Sequence, residues 1–172
     1  FSVDGSRIRI PHLGWVRMRE ALRFAGKIMS ATVSRVADKW FVSITVDTPE
    51  QSPSTQAKNQ GAVGVDLGVS ALATLSTGEV ITGPKAHKAL LCRLQRRSRD
   101  LSRKVKGSAN RKKAKVKLAK LHARISNIRK EALHQLTTDL TQRFHTIGIE
   151  DLNVKGMVKN RHLSRAVSDM GF

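Results

Sequence analysis

The chain of 172 residues contains a single cysteine, Cys92, and this scarcity excludes two kinds of protein. One thiol cannot form the disulfide framework of a small secreted domain, and it cannot supply the paired cysteines of a structural zinc site. We therefore expect no zinc site in this sequence. Because no signal-peptide pattern is present either, we expect a cytoplasmic protein.

Long apolar segments and aromatic residues are also scarce. No apolar run approaches the ~18 residues that a membrane-crossing helix needs. Aromatic residues make up 4% of the chain, and no amphipathic segment carries the Trp and Phe side chains typical of membrane-surface helices. We therefore expect no membrane partner. The six histidines lack the spacing of metal ligands, and no glycine-rich phosphate loop is present.

Acidic residues are few for a chain of this length. Asp and Glu total 13 against 32 Lys and Arg, which gives a formal net charge of +19 and a pI near 11.3. Such an excess of positive charge is typical of a protein that binds a polyanion. It favours nucleic acid over a small acidic substrate.

Changes in composition divide the chain into three segments. Residues 1–47 are β-rich and contain a predicted hairpin of strands 27–36 and 39–46, with one buried face, as part of a small barrel or curled sheet. Residues 48–61 are mostly Pro, Ser, Gln and Asn, a composition typical of a linker. Residues 62–172 form a second domain.

Three aromatic side chains of the first segment have two interpretations. Trp15, Trp40 and Phe41 are candidates for stacking on nucleic-acid bases. The alternating pattern of the hairpin instead favours packing in a core, and that is the prediction we make for them.

Two short apolar strands in the second domain each deliver one carboxylate. Residues 62–67 begin a predicted three-strand meander and carry Asp66, and residues 147–149 lead to Glu150. A meander with an acid in its first strand is how the ribonuclease H architecture begins. Asp66 also fits a turn former at a strand end, and the residues alone leave both interpretations open. Successive strand residues face opposite sides, so Glu150 and Asp151 cannot both enter a site, and the spacing alone does not choose between them.

A helical hairpin is predicted between these strands, over about residues 85–146. Apolar residues recur at gaps of three and four on both sides of a break at residues 106–110, as expected for two helices packed along a narrow seam. Between Lys85 and Lys130 the sequence has 18 Lys and Arg but one acid, Asp100. Like charges four residues apart destabilise a helix unless a polyanion neutralises them, which favours a nucleic-acid interface over a disordered basic tail. The residues predicted to bind nucleic acid are Arg93, Arg96, Arg97, Arg99, Arg103, Lys104, Arg111, Lys112, Lys113, Lys115, Lys117 and Arg124.

Five blocks of sequence form a specific combination. They are GVDLG at 64–68, SRDLSRK at 98–104, KGSANRKKA at 106–114, LAKLHARISNIRK at 118–130 and IEDLNVKGM at 149–157. Together they resemble the TnpB family, the insertion-sequence proteins long called transposases and related to the compact type V CRISPR effectors, over roughly residues 15–172. The resemblance implies an α+β to α/β protein, in which the end of a β-barrel wedge domain precedes a partial RuvC (ribonuclease H-like) domain with a basic helical hairpin inserted.

The resemblance also implies a function, that of a transposon-associated, RNA-guided DNA endonuclease. Asp66 matches the first RuvC carboxylate and Glu150 the second, and with a third acid they would hold two Mg²⁺ ions. Guide RNA and target DNA would be the partners, with sequence specificity left to base pairing. The expected location is the cytoplasm of a prokaryote, at the nucleoid.

This sequence departs from the family pattern at its end. The third carboxylate and a four-cysteine zinc module lie further downstream in the family, after a long helix that should begin near Phe172. We therefore expect a central portion of a longer protein, which starts at Phe1 rather than Met and binds nucleic acid without cutting it alone. Asp169 lacks a strand context and is not assigned as the third acid. The alternative function is that of a non-catalytic RNA- or DNA-binding module that uses the same charge.

Because the nuclease sheet is incomplete, we also expect the chain to be poorly soluble by itself. Without its remaining strand and helix, one face of the sheet should be uncovered, and the chain should associate with itself or with a partner. The apolar residues expected to be exposed are Val63, Val65, Ile147 and Ile149.

Overall fold

A computed structural model describes residues 1–48 and 61–171 and shows a mixed α+β protein. The chain divides into two compact units, Phe1–Ser54 and Thr55–Phe172. The predicted linker at residues 48–61 lies almost wholly outside the described residues.

The first unit is β-structure throughout its described elements. Its strands are β1 (Ser2–Asp4), β2 (Arg7–Ile10), β3 (Gly14–Arg17), β4 (Lys27–Val36) and β5 (Lys39–Asp47). Strands β1, β2 and β3 form an antiparallel sheet, and β4 and β5 form a separate antiparallel hairpin. Gly5 turns the chain between β1 and β2 with a φ of +52°, a conformation that glycine adopts without a steric penalty. The bounds of the β4–β5 hairpin agree with the sequence prediction to within one residue.

Burial in the first unit differs from the prediction. No closed barrel forms within residues 1–48, and the face of β5 expected to be buried is only half-buried at Val42 and Ile44. The core-packing prediction for Trp15, Trp40 and Phe41 is wrong, because all three are exposed, Trp40 by 68%. A two-stranded hairpin buries an aromatic side chain only where a second layer packs against it, and the described part of this unit provides none there.

Within residues 61–171, the second unit has a four-stranded sheet and four helices. Its elements are β6 (Ala62–Leu67), β7 (Ala73–Leu75), β8 (Val80–Ile81), α1 (Ala86–Ser102), α2 (Ala109–Arg143), β9 (Thr146–Ile149), α3 (Val154–Lys159) and α4 (Ser164–Met170). The strand order is β8-β7-β6-β9. Strands β6, β7 and β8 form an antiparallel meander, and β9 lies parallel to β6 after the chain has passed through the helical hairpin. The predicted meander and helical hairpin are both present.

One face of this sheet is covered by the last third of α2. Leu136, Leu140 and Phe144 pack there against Val63 and Val65, and all five are buried. The prediction that Val63 and Val65 are exposed is therefore wrong. A helix inserted before the last strand returns across the sheet and covers it.

The other two apolar residues of that prediction have different outcomes. Ile147 is partly buried against the core, whereas Ile149 is 69% exposed at the end of the outermost described strand. Of the four residues in that prediction, Ile149 alone is exposed. The expected self-association stays a prediction.

The N-terminal part of α2 packs against α1 instead of the sheet. Its buried residues there are Ala114, Leu121 and Ile125. At 35 residues, α2 is about 50 Å long, so one helix both covers the sheet and forms half of the hairpin. Its start has a side-chain cap, because Ser108 Oγ accepts a hydrogen bond from the Arg111 amide at 3.1 Å. No helix among the described residues is long and apolar enough to cross a membrane.

Candidate functional site

Asp66 lies on β6 and faces away from the helices. Its neighbours Val65 and Leu67 point into the core, and alternation along a strand places Asp66 on the opposite face of the sheet. On β7, Thr74 is its register partner and shares that face. Nothing in the core uses this carboxylate, which is exposed. Asp66 is the penultimate residue of β6, which ends at Leu67, so its assignment to a site rather than to a strand-end turn stays a prediction.

Glu150 directly follows β9, the parallel neighbour of β6. The last register pair of the two strands joins Val65 to Ile149, and one residue further along come Asp66 and Glu150. The pairing ends at Val65 and Ile149, so it brings the two acids to the same end of the sheet, with Asp66 on the open face and Glu150 just beyond β9. The preceding register pair on that face is Gly64 and Gly148. These glycines have no side chains of their own, and the side chain beside Gly64 is that of Ser76, whose Oγ accepts a hydrogen bond from the Gly64 amide at 3.0 Å.

Two exposed carboxylates at the same end of a sheet would be a partial ligand set for Mg²⁺ if their side chains converge. This ion takes octahedral oxygen ligands, and carboxylates, water and phosphate oxygens supply them in nucleotide-processing sites. Asp66 and Glu150 provide carboxylate oxygens, which are ligands of the required kind. Over residues 1–48 and 61–171 no third His, Cys, Asp or Glu joins them within reach of one ion, and Asp151 does not complete the group either.

Both carboxylate oxygens of Asp169 accept hydrogen bonds from the start of α1. It is 4% exposed, and its two carboxylate oxygens accept hydrogen bonds from the backbone amides of His87 at 2.7 Å and Lys88 at 2.9 Å. Arg129 Nη2 lies 3.7 Å from the same carboxylate. Its neighbour Met170 is in the core on the helix-covered face of the sheet, the face opposite Asp66. The Asp169 carboxylate therefore stabilises the contact between α4 and the start of α1.

The basic residues predicted to bind nucleic acid lie on α1, on the N-terminal part of α2 and on the turn between them. Arg96, Arg97, Arg99 and Arg103 line a shallow, open concavity of about 500 Å³ on α1, together with Asp100. Half-buried members of the predicted set are Arg97, Lys104 and Arg111. Exposed members are Arg93, Arg96, Arg99, Arg103, Lys112, Lys113, Lys115, Lys117 and Arg124.

Two of the half-buried residues have structural contacts. Arg111 Nη1 donates to the carbonyl oxygens of Leu101 at 3.0 Å and Lys104 at 2.9 Å, so this arginine closes the turn between α1 and α2. Lys104 Nζ lies 3.4 Å from Asp100 Oδ1, one helical turn earlier. Charge pattern alone did not distinguish these residues from the freely exposed ones.

Arg143, which sequence reasoning did not single out, ties the end of α2 to the sheet. Its guanidinium donates to Glu79, in the turn between β7 and β8, and to Asp139, each at 2.8 Å. The hydrogen bond to Glu79, followed by that to Asp139, raises the pKa of Arg143 above its ordinary value. This basic residue serves the fold, in contrast to the exposed ones on α1.

The sequence matches a family profile and two similar proteins. Residues 42–161 match the sequence profile of the family OrfB_IS605, described as "Probable transposase", and the chain belongs to that family. A protein of Streptomyces pristinaespiralis named "Putative RNA-guided DNA endonuclease" is 47% identical over 156 residues. The Escherichia coli K12 protein InsQ, with the same descriptive name, is 40% identical over 157 residues.

These matches cover most of this chain but a smaller part of each relative. The aligned regions include 90% and 91% of the present sequence and 38% and 39% of the two relatives. The chain thus spans about two fifths of the length of the proteins it matches. It contains both Asp66 and Glu150 within the region matched by the family profile.

Proposed function

We propose that this chain is the central part of an RNA-guided DNA endonuclease of the TnpB type, in which Asp66 and Glu150 belong to a RuvC-like, metal-dependent nuclease site. The observation that supports the proposal is the parallel pairing of β6 with β9, because its last register pair, Val65 and Ile149, immediately precedes the two acids. The strand order supports the same architecture, since an antiparallel meander joined by a parallel strand is how a ribonuclease H-like sheet begins. The proposed reaction, cleavage of DNA, is taken from the names of the relatives.

In this proposal Asp66 and Glu150 hold Mg²⁺ through their carboxylate oxygens. When bound, the metal would activate water and stabilise the leaving oxygen in phosphodiester hydrolysis. The third acid of a two-metal site would come from sequence outside this chain, so the 172-residue protein binds nucleic acid without cutting it.

The exposed arginines and lysines of the α1–α2 hairpin supply the affinity for nucleic acid. Contacts from such residues to phosphate are independent of sequence, which suits an enzyme whose specificity comes from pairing between a guide RNA and target DNA. The proposed partners are therefore guide RNA and target DNA. The proposed location is the cytoplasm of a prokaryote, at the nucleoid.

The direct test is cleavage of target DNA by a full-length protein that contains this sequence. Asp66→Ala and Glu150→Ala should each abolish cleavage and leave binding nearly intact, because the carboxylates hold metal and not the backbone. Loss of the metals removes transition-state stabilisation of several kcal/mol, which corresponds to orders of magnitude in rate. Asp151→Ala is the matched control and should keep cutting. Cleavage that survives Glu150→Ala would remove Glu150 from the site.

A second function is supported by a separate observation. Among the described residues the acid pair lacks a third metal ligand, while the basic hairpin is complete. A non-catalytic RNA- or DNA-binding module would need the hairpin alone. If the full-length protein binds guide and target but shows no metal-dependent cleavage in any divalent ion, this second function replaces the first.

A further inference from the structure

Helix α1 begins without a cap from its own sequence. Lys85, at the N-cap position, has a left-handed backbone with φ and ψ of 42°, its side chain makes no capping hydrogen bond, and the first turn contains no acid. The first amides of a helix have no acceptor within the helix. Side chains from another part of the chain must therefore satisfy them.

Asp169 supplies that cap from more than 80 residues away. Its carboxylate accepts from the amides of His87 and Lys88, which are the second and third residues of α1. A local Ser or Asp at the N-cap would bond these same two positions. A negative charge there also stabilises the helix through its dipole. Burial of this charge is compensated by the two amides and by Arg129, which is itself 22% exposed.

The segment that carries Asp169 is also anchored to the sheet. Val167 and Met170 of α4 are each 1% exposed, and Met170 belongs to the core that contains Val63 and Val65. Gly83, just before α1, has no room for a side chain, because an added Cβ would meet the sulfur of Met170. Helix α4 thus contacts the start of α1 on one side and the sheet on the other.

We propose that Asp169 is a positioning residue, which fixes where α1 begins and which direction this arginine-rich helix takes from the sheet. Met170 holds α4 on the sheet, and Asp169 holds α1 on α4. The consequence for function rests on the proposed function, since this link sets the basic face of α1 relative to the strand pair that carries Asp66 and Glu150. The same geometry commits both Asp169 oxygens to backbone amides, so Asp169 takes no part in metal binding.

The single cysteine of the chain makes the direction of α1 measurable. Cys92 is exposed on α1, and Thr77→Cys introduces a second exposed thiol in the turn between β7 and β8. Nitroxides on these two thiols report the distance from α1 to the sheet by pulsed electron paramagnetic resonance. We expect one narrow distance distribution when Asp169 is present.

Two substitutions at residue 169 remove the helix cap to different extents. Asp169→Asn keeps the size and one acceptor oxygen, whereas Asp169→Ala removes both oxygens. The distance distribution should broaden in that order. Exchange of the His87 and Lys88 amide protons should accelerate at least tenfold in Asp169→Ala. Asp151→Asn, the same charge change at an exposed position, should leave both measurements unchanged.

The outcomes separate this proposal from the nuclease proposal, because neither measurement involves nucleic acid or metal. A narrow distribution and unchanged exchange at His87 and Lys88 in Asp169→Ala would overturn the positioning role. If Asp169→Ala fails to fold, Asp169→Asn decides in the same way: broadening with faster exchange supports the role, and wild-type behaviour overturns it.

Discussion

Four arginines on one face of α1 allow a quantitative test of the nucleic-acid interface. Arg93, Arg96, Arg99 and Arg103 are all exposed. Their spacing places them within about a third of the helix circumference and over about 15 Å of its axis. That length equals between four and five steps of a nucleic-acid strand at about 3.4 Å per step. We expect all four to contact phosphates of one bound duplex.

Replacing these four arginines with glutamine should reduce the salt dependence of binding by a calculable amount. Each phosphate contact contributes about 0.9 to the slope of log affinity against log salt concentration for B-form DNA. Four lost contacts lower the slope by about 3.6. Raising the salt from 50 to 200 mM weakens binding of both proteins, and the fold-decrease in affinity should be about 100 times smaller for the variant than for the wild type.

The assay is fluorescence anisotropy of a labelled duplex at several salt concentrations, with a charge-matched control. The control replaces the exposed basic residues Lys155, Lys159, Arg161 and Arg165 of the C-terminal region with glutamine, which removes the same charge. Its slope should stay close to that of the wild type. Equal reductions in both variants would mean that net charge, and not the α1 face, determines binding. An unchanged slope in the α1 variant would refute the interface.

Two predictions concern stability and can be measured by chemical denaturation. Arg111→Gln removes the hydrogen bonds that close the α1–α2 turn and should lower the free energy of unfolding by about 1–3 kcal/mol. The control Lys112→Gln, at an exposed neighbouring residue, should change the free energy of unfolding by less than about 0.5 kcal/mol. Equal effects of the two substitutions would contradict the structural role of Arg111. Phe144→Ala leaves a cavity between α2 and the sheet and should cost about 3–5 kcal/mol, and a loss below about 1 kcal/mol would mean that this helix does not cover the sheet.

Local patterns predicted the elements of this chain closely. The hairpin of β4 and β5 follows from two runs of β-branched residues around a short turn, and the helical hairpin follows from apolar spacing interrupted at Gly107. Asp66 was predicted from a short apolar strand that carries an acid, and Glu150 was preferred to Asp151 on the family resemblance. The parallel pairing of β6 with β9 needed the structure, since a parallel crossover leaves no local signal.

Burial and long-range contacts were predicted less well, for a physical reason. Whether Val63 is covered depends on where α2 passes, and whether Trp40 is covered depends on a second layer, and neither is encoded near the residue itself. The role of Asp169 depends on a contact with His87, 82 residues earlier.

The central claim is that Asp66 and Glu150 form one metal site, and Mn²⁺ binding to the 172-residue chain tests it most directly. Mn²⁺ prefers the same oxygen ligands as Mg²⁺, and its free concentration is measured by electron paramagnetic resonance. We predict one weak site, lost in Asp66→Asn and equally in Glu150→Gln, and retained in Asp151→Asn. Binding that is the same in the wild type, Asp66→Asn and Glu150→Gln would contradict the claim.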